Sequence, residues 1–269
     1  MNDMNLPQLS ISQQILFSTK RIEPTINGVA TGASGTGFFF SFVTEGRIAP
    51  SIVTNKHVIE GANGCFLFLH GTENGAPTSD VIKVLVDFGQ CPVYAHPDPN
   101  VDLCAILIGP VLNDLNQNQK IYYSGIGFNN IPQDWTEFDA LEEVLMVGCP
   151  RGIMDEESKL PIFRRGNTAT PLFTDYNGKA EFMVDMACFP GSSGSPLFIL
   201  NEGSYKTNNG ITLGTRFYFI GILYSGPVIQ NDGSIHFSQN PKLTVGTMMH
   251  LGNIIKAYEL RKIEQLLPK

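Results

Sequence analysis

The chain has 269 residues, 42% of them hydrophobic and 16% charged, with a formal net charge of −7. That balance excludes a disordered chain, and with no basic patch (the RR at 164–165 is too short) it excludes the phosphate-binding footprint of a nucleic-acid protein. No apolar run approaches the roughly 20 residues of a membrane span, and the opening MNDMNLPQLSISQQ lacks the basic and apolar regions of a secretory leader. A helix is expected within LPQLSISQQILF near the N-terminus. Thereafter the chain reads as short apolar β segments: TGFFFSFV (36–43), SIVTNKHV (51–58), CFLFLH (65–70), DVIKVLVDF (80–88), DLCAILIG (102–109), EVLMVG (143–148), EFMVDMAC (181–188), SPLFIL (195–200) and RFYFIGILY (216–224). They are rich in β-branched and aromatic residues, and most are bounded by Gly, Pro, Asn or Asp. DWTEFDALEE (134–143) and DEESKL (155–160) read as solvated segments. The spacing of Ile254, Ile255, Tyr258, Ile263, Leu266 and Leu267 predicts a C-terminal helix over 254–267, with Asn253 as its cap. Many short strands without alternating long helices argue for an all-β sandwich or barrels.

Five cysteines (Cys65, Cys91, Cys104, Cys149 and Cys188) form no CxxC pair. With no leader visible, this favours reduced thiols in a cytoplasmic protein. The histidines lack ligand spacing to cysteines or acids, so neither a metal nor a cofactor is expected.

The stretch FPGSSGSPLF (189–198) lies between two apolar segments. Gly191 lets the backbone turn with its amide inward, Gly194 relieves crowding, and Pro196 restricts entry to the next strand. In that geometry Ser193 presents its hydroxyl, and the amides of Gly191 and Ser193 converge on one point. A plain Ser/Gly turn is the competing reading. His57 lies near the end of an apolar strand, close to a turn, whereas His96, in HPDPN, reads as an exposed loop residue. Asp102 opens an apolar strand and needs a partner if buried. Asp98, flanked by prolines, reads as a loop residue.

TGASGTGFFF (31–40), IVTNKHVIEGA (52–62), DLCAILI (102–108) and DMACFPGSSGSPLF (185–198) together resemble the trypsin-like, chymotrypsin-fold serine peptidases. They are closest to the bacterial, HtrA-like branch, here without a PDZ-like segment after residue 245. The resemblance runs from about residue 30 to 245. It implies two six-stranded antiparallel β-barrels around a cleft, about 25–125 and 126–250, with the C-terminal helix outside. It implies His57 as general base, Asp102 as its orienter, Ser193 as nucleophile, and the amides of Gly191 and Ser193 as oxyanion hole. The primary pocket would be lined by Ala187, Cys188, Tyr224, Ser225 and Gly226, with His236 at its back, although a strand histidine near the surface is the favoured reading of His236. Ala187 stands where trypsins have their basic-selective acid, which argues against a Lys/Arg preference and for a small or apolar side chain. Ser192 stands where digestive trypsins carry an aspartate that pairs with a newly cut N-terminus. No zymogen cleavage is then expected, and loop order, set if needed by an activating protein partner, would govern activity. Asp185 resembles an acid common in the HtrA-like branch, with a structural role.

The substrate implied is a protein or peptide. A peptidase fold serving as a binding module is the alternative. A cysteine peptidase using Cys188 or Cys149 is disfavoured because neither has the flanking glycines of Ser193.

Overall fold

The computed structural model describes residues 9–118, 121–207, 210–234 and 242–268. A helix over Ile11–Ser18 opens it, as expected near the N-terminus. Ser10 caps this helix: its hydroxyl accepts the amide of Gln13, and the Gln13 side chain accepts the Ser10 amide in return. The first half is a nine-stranded sheet. Its main path runs Ala76–Asp87, Gly64–Glu73, Thr19–Ile26, Gly35–Thr44, Arg47–Thr54, Cys104–Leu107 and Val93–Ala95, with Val29–Ala30 and Ile126–Gly127 added at the side. The second half is a closed six-stranded barrel of Glu143–Gly148, Ile162–Thr168, Glu181–Asp185, Leu251–Lys256, Arg216–Ser225 and Pro196–Asn201. Closure leaves that sheet no open edge. The all-β class and a short C-terminal helix are what the chain adopts. The segment Gly109–Asn118 adds a helix that the sequence pattern did not suggest.

The strand Gly35–Thr44 shows why the halves adhere. Successive side chains point to opposite faces of a strand. Phe38, Phe40 and Phe42 therefore enter a core shared with Phe198, Phe219, Ile222, Ile255 and Leu260 of the second half. Phe39 turns the other way, into the first half's own core with Ile22, Ile52 and Cys65. At the shared core, Phe219 meets Phe38 edge-on at 5.2 Å and Phe198 at 5.7 Å.

The C-terminal expectation is corrected. Residues 251–256 are a barrel strand, and the chain turns helical only at Ala257–Glu259 and Leu260–Glu264. Ile254 and Ile255 do not share a helical face. They point into different cores, Ile254 into the barrel interior and Ile255 into the shared core. Two adjacent buried isoleucines satisfy either pattern locally, and pairing with both Glu181–Asp185 and Arg216–Ser225 decides between them. Asn253 is accordingly not a cap: it lies in the strand and donates to the Ser225 hydroxyl.

His96 is also corrected, from exposed to 3% exposed. Its Nδ1 lies 3.1 Å from the Asp98 amide, and its Nε2 lies 3.0 Å from the buried Glu259 carboxylate. The loop at 96–98 is thereby tied to the C-terminal turn. Lys20, on Thr19–Ile26, is buried as well, its ammonium 3.2 Å from His70 Nδ1. Burial pushes its pKa down to about 7, with the Cys149 thiol acting weakly the other way.

Phe219→Ala should cost about 3–5 kcal/mol, because it empties the core that joins the halves. Urea denaturation should show a lowered midpoint. Lys20 supplies a pH signature. Between about pH 7 and 10 the unfolded chain holds a proton on Lys20 that the folded chain has lost, so this group makes stability rise with pH over that window. Lys20→Met should flatten the rise, measured as wild-type minus variant unfolding free energy across the same range.

Candidate active site

His57 lies on a short 3-10 turn, Lys56–Ile59, that follows the strand Arg47–Thr54 after Asn55. Its Nδ1 is hydrogen-bonded to Asp102 Oδ2, while Asp102 Oδ1 accepts the His57 amide at 3.1 Å. The Asp102 carbonyl accepts from the Asn55 side chain at 2.7 Å, which fixes the turn relative to the acid. Burial by itself would raise the Asp102 carboxyl. The hydrogen bond and charge of the His57 ring, with the amides of His57 and Lys56, outweigh it and hold the carboxyl below its ordinary value. With Nδ1 engaged, Nε2 is the ring nitrogen left for chemistry.

The serine loop is pinned on almost every side. The Ser192 amide donates to Phe189, the Gly194 amide to Leu223 and the Ser195 amide to Ser192, at 2.8 to 3.0 Å. Thr36 reaches over from the first half: its amide donates to the Ser193 carbonyl (2.9 Å) and its hydroxyl to the Gly191 carbonyl (3.0 Å). The same hydroxyl accepts the Cys149 amide, and the Thr54 hydroxyl donates to the Thr36 carbonyl. The Arg151 amide donates to the Pro190 carbonyl at 2.6 Å. Across a trans peptide the C=O and N–H point opposite ways, so the Gly191 N–H is turned away from Arg151. Among the described residues, the amides of Gly191 and Ser193 have no partner. Two unpaired N–H groups, two residues apart on a pinned loop, are what an anion site requires.

Two glycines are irreplaceable here. Gly191 has φ +84°, and a Cβ on it would sit 2.6 Å from the Arg151 nitrogen. Gly194 has φ +86°, and its Cβ would sit 1.9 Å from the Thr36 carbonyl oxygen.

Of the three serines, Ser192 and Ser195 are fully buried and Ser193 is partly exposed. Ser195 packs against Gly148, where any Cβ would overlap its hydroxyl. The Ser193 hydroxyl donates to the Tyr224 carbonyl at 3.4 Å and makes no hydrogen bond to His57.

The residues expected around a pocket divide. Tyr224 and Ser225 end the strand Arg216–Ser225, with Tyr224 against Ser193, and Gly226 follows the strand. The Tyr224 phenol donates to Glu181 and is pushed up to about 12 by burial and then by that carboxylate. Ala187 is half-buried. Cys188 is corrected: its thiol is packed in the barrel core against Gly252, Leu223 and Val184, and so lines no pocket. Burial pushes the Cys188 thiol up to about 11 and that of Cys149 to about 12, which leaves neither as a thiolate nucleophile near neutrality. Asp185 is exposed at a strand end. His236 lies outside the described residues. Among the described residues, no helix is long and apolar enough to cross a membrane.

Three contributors escape a reading of the sequence: Thr36, Arg151 and Arg164. Arg151 acts through a backbone amide that has no residue signature, and Thr36 through its amide and a hydroxyl whose partners lie far along the chain. Arg164 left one trace, the RR at 164–165. On a strand, such a pair must send one guanidinium inward, but the Ile162–Thr168 segment was not recognised as a strand.

A sheet packed on a closed barrel, with a His–Asp pair on one half and a pinned serine loop on the other, defines the class of chymotrypsin-fold serine peptidases. Residues 35–204 match the trypsin-like peptidase domain, and the chain belongs to that family. It is similar to Rv3671c from M. tuberculosis H37Rv in its inactive form, at 13% identity and TM-score 0.46, over 95% of this chain and 90% of that one. It is also similar to a serine endoprotease from Yersinia pestis, at 14% identity and TM-score 0.49, over 96% of this chain and 66% of that one. The curated proteins give no match.

Gly194→Ala should shift the serine loop, since it adds a left-handed backbone penalty of about 1–2 kcal/mol to a clash with fixed backbone. A fall in Tm of several degrees is the expected result of thermal denaturation.

Proposed function

We propose that this protein is a serine endopeptidase acting on protein or peptide substrates through an acyl-enzyme. The observation that carries the reading is the pair of unpartnered amides, Gly191 and Ser193, in a loop whose Ser192, Gly194 and Ser195 amides are all engaged. The Ser193 hydroxyl rotates off the Tyr224 carbonyl and attacks the scissile carbonyl carbon. Its proton passes to Nε2 of His57, and the Asp102 carboxylate steadies the resulting imidazolium through Nδ1. The two amides hold the tetrahedral oxyanion. Collapse breaks the C–N bond, and the proton on His57 leaves with the amine. Water then repeats the sequence on the acyl-enzyme, with His57 again taking and returning the proton.

Ala187 gives no negative charge for a basic side chain, which supports a small or apolar residue before the cleaved bond. Five buried, unpaired thiols support a cytoplasmic setting.

The test is labelling with a fluorophosphonate probe, read by intact mass. Wild type should gain one probe mass, Ser195→Ala should still gain it, and Ser193→Ala should gain none. Asp102→Asn should slow labelling by about 10⁴-fold, because the amide favours the wrong imidazole tautomer. Labelling that survives Ser193→Ala would overturn the assignment, and a folded wild type that never labels would leave the binding-module reading in its place.

A further inference from the structure

Arg164 lies on the inward side of the strand Ile162–Thr168, between the exposed Phe163 and Arg165. Its Nη1 donates to the Ala187 carbonyl, and its Nη2 donates to the Ser192 hydroxyl at 2.9 Å. Those acceptors stand at the two ends of the stretch 187–192. Ser192 is fully buried and sits between Gly191 and Ser193, the residues with unpartnered amides.

The electrostatics of Arg164 are unfavourable to stability. Its Nε is buried without a hydrogen-bond partner. Among the described residues it makes no salt bridge, and the ionisable groups beside it are the thiols of Cys149 and Cys188, which burial keeps protonated. A half-buried cation with no carboxylate is costly, and an apolar side chain of similar volume would pack there at no such cost. What Arg164 supplies is geometric: one planar, rigid group that spans a carbonyl and a hydroxyl which no other side chain links.

We propose that Arg164 is the positioning residue of the oxyanion loop: by tying Ala187 to Ser192 it aims the amides of Gly191 and Ser193. This rests on the peptidase reading. Arg164 touches neither substrate nor reacting atoms. Its effect therefore falls on the transition state and not on ground-state binding.

The full chain carrying Arg164→Met, Arg164→Lys or Arg164→Ala tests this, read by Tm, by fluorophosphonate labelling rate, and by kcat and KM on a peptide substrate. Arg164→Met should keep or raise the wild-type Tm, yet lose about 10²–10³-fold in labelling rate and kcat, with KM within threefold. Arg164→Lys should recover little, because an ammonium is a point donor that cannot bridge both acceptors. Millimolar guanidinium should restore part of the Arg164→Ala rate, and methylammonium should not. If Arg164→Met fails to fold, the guanidinium response of Arg164→Ala decides. Labelling within threefold of wild type, a loss carried by KM, or no guanidinium rescue would each overturn the proposal. A wild type that does not label sinks the peptidase reading first, and this proposal with it.

Discussion

The arrangement depends on one buried threonine. Thr36 projects from the first half and engages the second through its amide and its hydroxyl, on the carbonyls of Ser193 and Gly191. Its own carbonyl is held by Thr54, three residues before His57. The strand that leads into the His57 turn and the loop that carries Ser193 are therefore hydrogen-bonded to the same residue. In a dry interior such bonds are stronger than at a surface, and an unmade one is correspondingly expensive. A displaced serine loop would leave several buried groups unpaired at once.

Around this polar hub lies the shared phenylalanine core. Packing of Phe38, Phe40, Phe198 and Phe219 sets the halves against each other at interior density, so the polar groups meet in a fixed geometry. The backbone bears some strain in consequence. Arg151 occupies the left-handed region at φ +53°, which a non-glycine residue adopts only at a cost, and its amide is the one that orients the Pro190–Gly191 peptide. Strain at Arg151 and an unpaired charge at Arg164 flank the same loop. Both destabilise locally, and both constrain where the two free amides point.

Much of this was legible in the residues because some requirements are local. A Gly at φ +84° followed by another at φ +86°, with two serines between them, leaves a recognisable string. Apolar runs such as FFFSF mark a strand buried on both faces. The errors have a physical pattern. Ile254 and Ile255 read as a helical stripe because two neighbouring apolar residues fit either period. His96 read as exposed because it opens the proline-rich HPDPN, though Glu259, far along the chain, faces it inside. Cys188 read as pocket lining because it directly precedes the serine loop, but beyond the strand end at Asp185 its thiol packs into the barrel core beside Gly252.

The sequence by itself determined the all-β class, the identity of the His57, Asp102 and Ser193 contexts, and which of three serines stays at the surface. The class and the serine follow from side-chain size, turn chemistry and glycine conformations, which act over a few residues, whereas the His57 and Asp102 roles are what the resemblance implies. Only the tertiary structure decided that residues 251–256 close a barrel, that Thr36 and Arg151 grip the serine loop, and that Arg164 and not Arg165 faces inward. Those outcomes depend on hydrogen bonds between backbone groups and on burial by distant chain segments. A backbone amide has the same chemistry at every residue but proline, so its partners are chosen only when the chain closes on itself.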